Sequence, residues 1–297
     1  MKLCMVVNPQ AGKKQGLAAA GKAARLLHQN DITVETLISS YPGHTVALAA
    51  GLDLGSWDGV LAVGGDGTLF ELINGVLRSN DGIAVPIGQV PVGTGNSFVR
   101  DLGIHSIEDT IGHIVQRNVR KVDLGHFSCR AGEYYFINLL GAGFVSNVAY
   151  RARKYRALGA FSYILGVVEE VVGLKSGGMT LEIDGQIIER DAIFVEICNS
   201  RFTGGNMMMA PAAAIDDGLF DIVLLNRISR ATLLKLFPRI FKGTHVQAES
   251  VEVFRGQRIL LRTEHPLPLT PDGETLGSTP IEVCIYPRKL EMFGCSG

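Results

Sequence analysis

Aromatic residues are scarce in this chain, 7% of its 297 positions, and positive charge is in no excess: 28 Lys and Arg stand against 29 Asp and Glu. A protein that tracks a nucleic-acid backbone normally carries a clear basic excess, so nucleic acid is a poor partner here. Cysteine is sparse. Cys4, Cys129, Cys198, Cys284 and Cys295 are scattered, odd in number, and form no Cys-x-x-Cys. They read as reduced thiols of a cytoplasmic protein. No uncharged apolar run reaches the ~18 residues of a membrane span. The apolar start Leu3–Val7 is too short for a signal peptide. Two nucleotide signatures are also missing. No Gly-x-Gly-x-x-Gly follows the first apolar run, and no Gly-x-x-x-x-Gly-Lys-Ser/Thr occurs, which excludes a standard dinucleotide fingerprint and a Walker-type ATPase.

What is present is glycine, 36 residues, and a hydrophobic fraction of 46%. Length alone suggests roughly two domains. Up to about residue 120 short apolar runs alternate with helical spacing. Lys2–Val7, Thr33–Leu37, Gly59–Val63 and Ile83–Val90 read as strands; Leu17–Gln29, Gly43–Leu52 and Thr68–Leu77 read as helices. That alternation implies a parallel sheet covered on both faces, with ligands beyond the carboxyl ends of its strands. After about Val122 the texture changes. Tyr134–Leu139, Met179–Asp184, Gln186–Arg190, Ala192–Ile197, Phe220–Leu225, Val251–Val253, Arg258–Arg262 and Ile281–Ile285 read as strands, with a hairpin at Asp184-Gly185. Two helices interrupt them, about Ala157–Leu174 and Arg230–Phe241, the second bent or ended by Pro238. This is the pattern of a β-sandwich.

Three glycine loops fall at predicted strand ends: Asn8-Pro9-Gln10-Ala11-Gly12, Gly64-Gly65-Asp66-Gly67-Thr68 and Gly93-Thr94-Gly95-Asn96. Glycines let a backbone approach a polyphosphate, and a following helix offers free N–H donors. Asp66 would repel bare phosphate, so it points to a bridging Mg²⁺ or to a proton acceptor. Each loop alone also fits a tight strand-to-helix turn, with Asp66 as a helix cap. Three together point to a common crevice.

These loops, with Glu71, Asn74 and Pro91, resemble the catalytic domain of diacylglycerol kinases, in the branch of soluble bacterial lipid kinases. The resemblance continues through Phe136-Ile137-Asn138, Gly141-x-Gly143-Phe144, Gly204-Gly205, Ala210-Pro211, Asp216-Asp217-Gly218 and Asp272-Gly273-Glu274, covering nearly the whole chain. It implies a phosphofructokinase-like α/β domain over residues 1–122, rejoined by 287–297, and a β-sandwich over 123–286. The active site would lie in the cleft between them. It implies transfer of the γ-phosphoryl group of ATP to a lipid hydroxyl, with Mg²⁺. The nucleotide contacts would be Asn8, Ser39, Gly64, Gly65, Asp66, Gly67, Thr68, Leu69, Phe70, Glu71, Gly93, Thr94, Gly95 and Asn96. Glu274 would accept the hydroxyl proton, and Asp272 would help through metal or water. A structural Mg²⁺ would use the Asp217 carboxylate and the carbonyls of Ala214 and Leu219. Where the family usually has Asp after Gly-Thr-Gly-Asn, this chain has Ser97. A homodimer and transient membrane contact are further expectations of the resemblance. NAD kinases share the Asp66 loop, and a non-catalytic nucleotide or lipid sensor is the other alternative.

Three features bear on the lipid side. Met207-Met208-Met209 suits either an adaptable acyl groove or interior packing. Arg151, Arg153, Lys154 and Arg156 form a basic cluster that suits anionic headgroups or a solvated face. Arg230–Phe241 is amphipathic, a pattern that more often faces a core. His44, just after Pro42-Gly43, fits a helix start better than a ligand contact.

Overall fold

The computed structural model describes residues 1–79, 84–93, 95–152, 155 and 161–295. It divides into two compact units, Met1–Val122 with Arg288–Gly297, and Asp123–Pro287.

In the first unit β1 (Lys2–Val7), β2 (Thr33–Ile38), β3 (Gly59–Gly64) and β4 (Ile87–Pro91) pair in parallel, in the order β4-β3-β1-β2. β3 is buried along its whole length because helices cover both faces, and its sequence is accordingly an unbroken run of small and apolar residues. Helices Gly16–His28, His44–Ala50 and Asp66–Ser79 follow the first three strands. The predicted strand from Ile83 is shorter than expected, and residues 80–83 lie outside those described. A further helix, Ile107–Val115, escaped the sequence reading. Its start is a capping box, in which Ser106 accepts from the Asp109 N–H while Asp109 accepts from the Ser106 N–H. The chain returns at its end: Met292 pairs in parallel with Ile87, and Phe293 packs into the same core as Leu3, Leu61 and Val90.

In the second unit the main strands are β5 (Val119–Cys129, which enters from the first unit), β6 (Gly132–Phe136), β7 (Leu139–Gly143), β8 (Gly177–Ile183) and β9 (Gln186–Cys198). The short pair β10 (Phe202–Thr203) and β11 (Met207–Met208) follows, then β12 (Phe220–Asn226), β13 (Val251–Gly256), β14 (Arg258–Thr263), β15 (Leu269–Pro271) and β16 (Ile281–Phe293), whose tail crosses into the first unit. β9 joins what read as two strands. Its first half pairs with β8, and its second half lies between β7 and β12. The β8–β9 hairpin turns on Asp184 and Gly185, both at positive φ, as an Asp-Gly turn requires. The predicted strand Tyr134–Leu139 is instead the end of β6, a two-residue break, and the start of β7.

Alternate residues of β12 face opposite ways. Phe220, Ile222 and Leu224 enter one core with Phe136 and Leu181, whereas Val223 and Leu225 enter a second core with Phe144 and Val167. Helices Phe144–Ala152, Phe161–Val172 and Arg230–Leu236 cover that second face. The amphipathic segment changes at Pro238 into a tighter 3₁₀ stretch, Phe237–Lys242.

Candidate functional site

In the first unit all four parallel strands end on one edge, and the glycine loops there are tied to one another. Asn8 Nδ2 donates to Thr68 Oγ1 at 3.3 Å. Gln89 Nε2 reaches both the Gly64 carbonyl at 3.0 Å and Asn96 Oδ1 at 3.3 Å, and Asn96 Nδ2 donates to the Gly93 carbonyl at 3.0 Å. A Cβ on Gly12 would lie 2.7 Å from Val92 Cγ1, and one on Gly64 would lie 2.2 Å from Thr68 Oγ1. The glycines therefore permit the loops to approach one another.

Asp66 opens the helix Asp66–Ser79, and the Ser97 N–H donates to both its carboxylate oxygens, at 2.9 and 3.0 Å. Burial pushes its pKa up, and the Ser97 and Phe98 donors oppose this. Ser39, buried, hangs on β1 through its N–H to the Val7 carbonyl at 2.9 Å. Leu69 and Phe70 turn their side chains into the core, so at this edge they offer only backbone. Thr94 lies outside the described residues. His44 accepts the Ser40 N–H through Nδ1 at 3.0 Å and stacks on Tyr41, as a satisfied helix-start residue does.

In the second unit β15 runs into the turn Asp272-Gly273-Glu274. Asp272 and Gly273 both have positive φ, and the Glu274 N–H closes the turn on the Pro271 carbonyl at 2.7 Å. Asp272 is buried, and its carboxylate accepts three backbone N–H groups: Ile137 at 3.0 Å, Asn138 at 2.9 Å and Leu139 at 3.1 Å. These donors occupy the break between β6 and β7. The carboxylate thus replaces the missing ladder partners and sets where Glu274, half-buried, emerges.

The Asp217 loop is held from below by Asp123, fully buried, whose carboxylate accepts the Gly218 N–H at 2.7 Å. Sequence reasoning missed Asp123. Its only signal was an acid in an apolar stretch. Asp217 accepts the Leu219 N–H at 3.1 Å and pairs with Arg255, whose Nε is also 3.6 Å from buried Asp221. Among the described residues no three His, Cys, Asp or Glu side chains form a metal-holding group.

The helix-covered face of this unit carries a partly open cavity of about 90 Å³. Its wall is almost wholly apolar and includes Val148, Phe194, Met207, Met209, Leu233 and Ile240, together with Gly273 of the Asp-Gly-Glu turn. Met207 and Met209 therefore both pack inside and line a cavity. Glu196 and His245, also unanticipated, stand in the same wall. A lone acid in the apolar run Ala192–Cys198 was the available signal for Glu196. Of the basic cluster, Arg151 pairs with Glu169 and Glu170, while Arg153, Lys154 and Arg156 lie outside the described residues.

The first unit thus carries a glycine-loop edge on a parallel sheet, and the second a carboxylate turn bordering an apolar cavity. Comparison with known proteins gives the family. Residues 2–127 match the diacylglycerol kinase catalytic domain, and residues 138–294 match the YegS C-terminal NAD kinase β-sandwich-like domain. A Mycobacterium tuberculosis protein named diacylglycerol kinase is 30% identical over 98% of this chain and 94% of its own length. A Bacillus subtilis protein of the same name is 24% identical over 97% and 94%. A crystal structure from Bacillus anthracis, of a candidate diacylglycerol kinase, superposes with a TM-score of 0.82 at 25% identity over 99% of this chain and 97% of that one. The chain belongs to the bacterial diacylglycerol kinase family, a family of lipid kinases for which ATP is the implied phosphate donor. No helix among the described residues is long and apolar enough to cross a membrane.

Proposed function

We propose that this protein is an ATP- and Mg²⁺-dependent kinase that phosphorylates a hydroxyl of diacylglycerol or a related lipid alcohol. The observation that carries the reading is the apolar cavity bordered by Gly273, which offers an acyl chain a seat next to a carboxylate that can take a proton. The nucleotide binds at the glycine-loop edge. Asn8, Ser39, Gly64, Gly65, Gly67, Thr68, Leu69, Phe70, Glu71, Gly93, Thr94, Gly95 and Asn96 cradle it. Glu274 accepts the lipid hydroxyl proton as the oxygen attacks the γ-phosphorus. The new O–P bond forms while the bond to the β-phosphate oxygen breaks, releasing ADP. Asp272 acts as a positioning residue, because its oxygens accept three backbone N–H groups.

The oxygen donors suit Mg²⁺. Asp66 would hold it beside the phosphates, where it supplies charge neutralisation to the leaving group. At Asp217 the carboxylate and the carbonyls of Ala214 and Leu219 would hold a second Mg²⁺ through oxygen alone. Asp221, buried beside Asp217, has a carboxyl oxygen without a hydrogen bond that faces Arg255 Nε at 3.6 Å, so Arg255 already supplies positive charge on this side of the loop. We place the enzyme in the cytoplasm, docking transiently on membranes that present its acceptor, in line with exposed Leu234 and Phe241 on the amphipathic segment. A homodimer accords with the family and is checked by mass measurement in solution.

The test is transfer of labelled γ-phosphate from ATP to a panel of lipid alcohols in mixed micelles with Mg²⁺, with Glu274→Gln in parallel. A labelled lipid that vanishes in the variant is expected. Labelled NADP from NAD would establish an NAD kinase instead, and nucleotide binding with no turnover on any acceptor would establish a sensor.

A further inference from the structure

The cavity in the second unit holds two polar atoms that bond to nothing. Glu196 is buried and its Oε2 has no hydrogen-bond partner; His245 is buried and its Nδ1 has none. Both residues line the same apolar wall. A buried polar group left without its hydrogen bond is destabilising, so two in one cavity call for a ligand.

The chemistry of each atom is readable. Strand alternation places Val195 and Ile197 in the opposite core and turns Glu196 toward the helix-covered face with Phe194 and Cys198. Burial pushes its carboxyl up to about 8, so at neutral pH it is mostly a carboxylic acid with an O–H to donate. His245 Nε2 lies 3.0 Å from the Met209 carbonyl, which can only accept, so Nε2 carries the proton. Burial lowers the ring pKa to about 4, leaving Nδ1 a neutral acceptor.

Position is readable too. Glu196, Gly141 and Thr270 stand in one row across β9, β7 and β15, and Thr270 is two residues before Asp272. A Cβ on Gly141 would meet Thr270 Oγ1 at 3.0 Å and Glu196 Oε1 at 3.4 Å, so the glycine keeps that row open. Thr270 is itself satisfied by Ser146 at 3.1 Å. The unpartnered acid therefore sits at the end of the cavity nearest the carboxylate turn, where the polar end of a lipid would lie.

We propose that Glu196 and His245 are specificity residues of the acceptor site: Glu196 donates a hydrogen bond to an acyl ester carbonyl of the lipid, and His245 Nδ1 accepts one from a lipid O–H. This rests on the lipid kinase reading and narrows it to acylated glycerols that keep a second free hydroxyl beside the one that is phosphorylated, as a monoacylglycerol does. A plain alkyl chain leaves both groups unpaired. A long-chain amine would need Glu196 ionised inside an apolar wall, which burial opposes.

The experiment compares a monoacylglycerol with its 1-O-alkyl ether of equal chain length, which lacks only the carbonyl. Wild type should prefer the ester by about tenfold or more in kcat/KM, mainly through KM. Glu196→Leu should bring the ratio close to one. Glu196→Gln, which keeps a donor of the same shape, should retain the preference. His245→Phe should raise KM for the ester. A wild-type ratio near one overturns the proposal even if Glu196→Leu does not fold. So does a ratio unchanged in a folded Glu196→Leu, or a preference for a long-chain amino alcohol that Glu196→Gln abolishes. Phosphorylation of no lipid at all would instead overturn the kinase reading, so the two failures are separable.

Discussion

The two candidate regions are built on opposite principles. At the glycine-loop edge of the first unit, Asn8, Gln89 and Asp66 each hydrogen-bond to a neighbouring loop, and Asn96 braces its own. The cavity of the second unit is apolar and carries two polar atoms that nothing satisfies. The edge has the character of a pre-organised receptor for a ligand that binds through backbone donors. The cavity has the character of a receptor whose polar groups are completed by what enters it. Backbone-defined sites leave motifs, because only glycine fits their contacts. Cavities assembled from distant side chains leave almost none.

Four experiments would break or sharpen this contrast. The largest effect is expected from Glu274→Gln, a loss of turnover of about 10³-fold with ATP affinity retained, measured by phosphoryl transfer beside nucleotide binding. Asp272→Ala should follow. Three N–H groups at Ile137, Asn138 and Leu139 lose their acceptor, and stability should fall by about 3 kcal/mol in urea melts, with activity falling because Glu274 is no longer positioned. A variant as stable as wild type would refute that support role. Gly64→Ala drives a methyl group into Thr68 and should cost about 1–3 kcal/mol while weakening nucleotide binding, with the second unit's ester preference untouched.

The last experiment concerns pH. Burial raises the Glu196 carboxyl to about 8 in the folded chain, above its ordinary value of about 4.5. The folded state therefore holds a proton that the unfolded state releases. The resulting stability is fully present below the unfolded value and declines as pH rises toward about 8, by up to about 1.4 kcal/mol per pH unit. Glu196→Gln should remove this slope, so the two proteins' urea midpoints should converge or cross between pH 5 and pH 8. Parallel curves would show that the carboxyl is not held in its neutral form.

Much of the first unit was legible because its information is local. β3 reads as a strand since a parallel sheet buries both faces, and it ends where Gly64-Gly65-Asp66 forces a turn. The helix Ile107–Val115 was missed although its Ser106–Asp109 box stands in the sequence, because a nine-residue helix gives a weak periodic signal. The second unit was less legible. The break at Ile137–Asn138 is maintained by Asp272, more than 130 residues later, and no local pattern announces such a partner.

Ser97 shows the same limit at one residue. By sequence it is a lost carboxylate; in the fold its N–H grips both oxygens of Asp66. That grip comes from the backbone and survives the change of side chain.

By itself the sequence determined the strand–helix alternation, the places of the glycine loops, and the membership in a lipid kinase family. The first two follow from steric and periodic rules acting over a few residues; the third follows from the resemblance of an ordered set of motifs along the chain. Only the tertiary structure decided that Asp272 is a staple, that Asp123 holds the Asp217 loop, and that Glu196 and His245 line one apolar cavity. The reason is physical. A carboxylate's role depends on its solvation and on which donors reach it, and both are set by elements that meet only after folding.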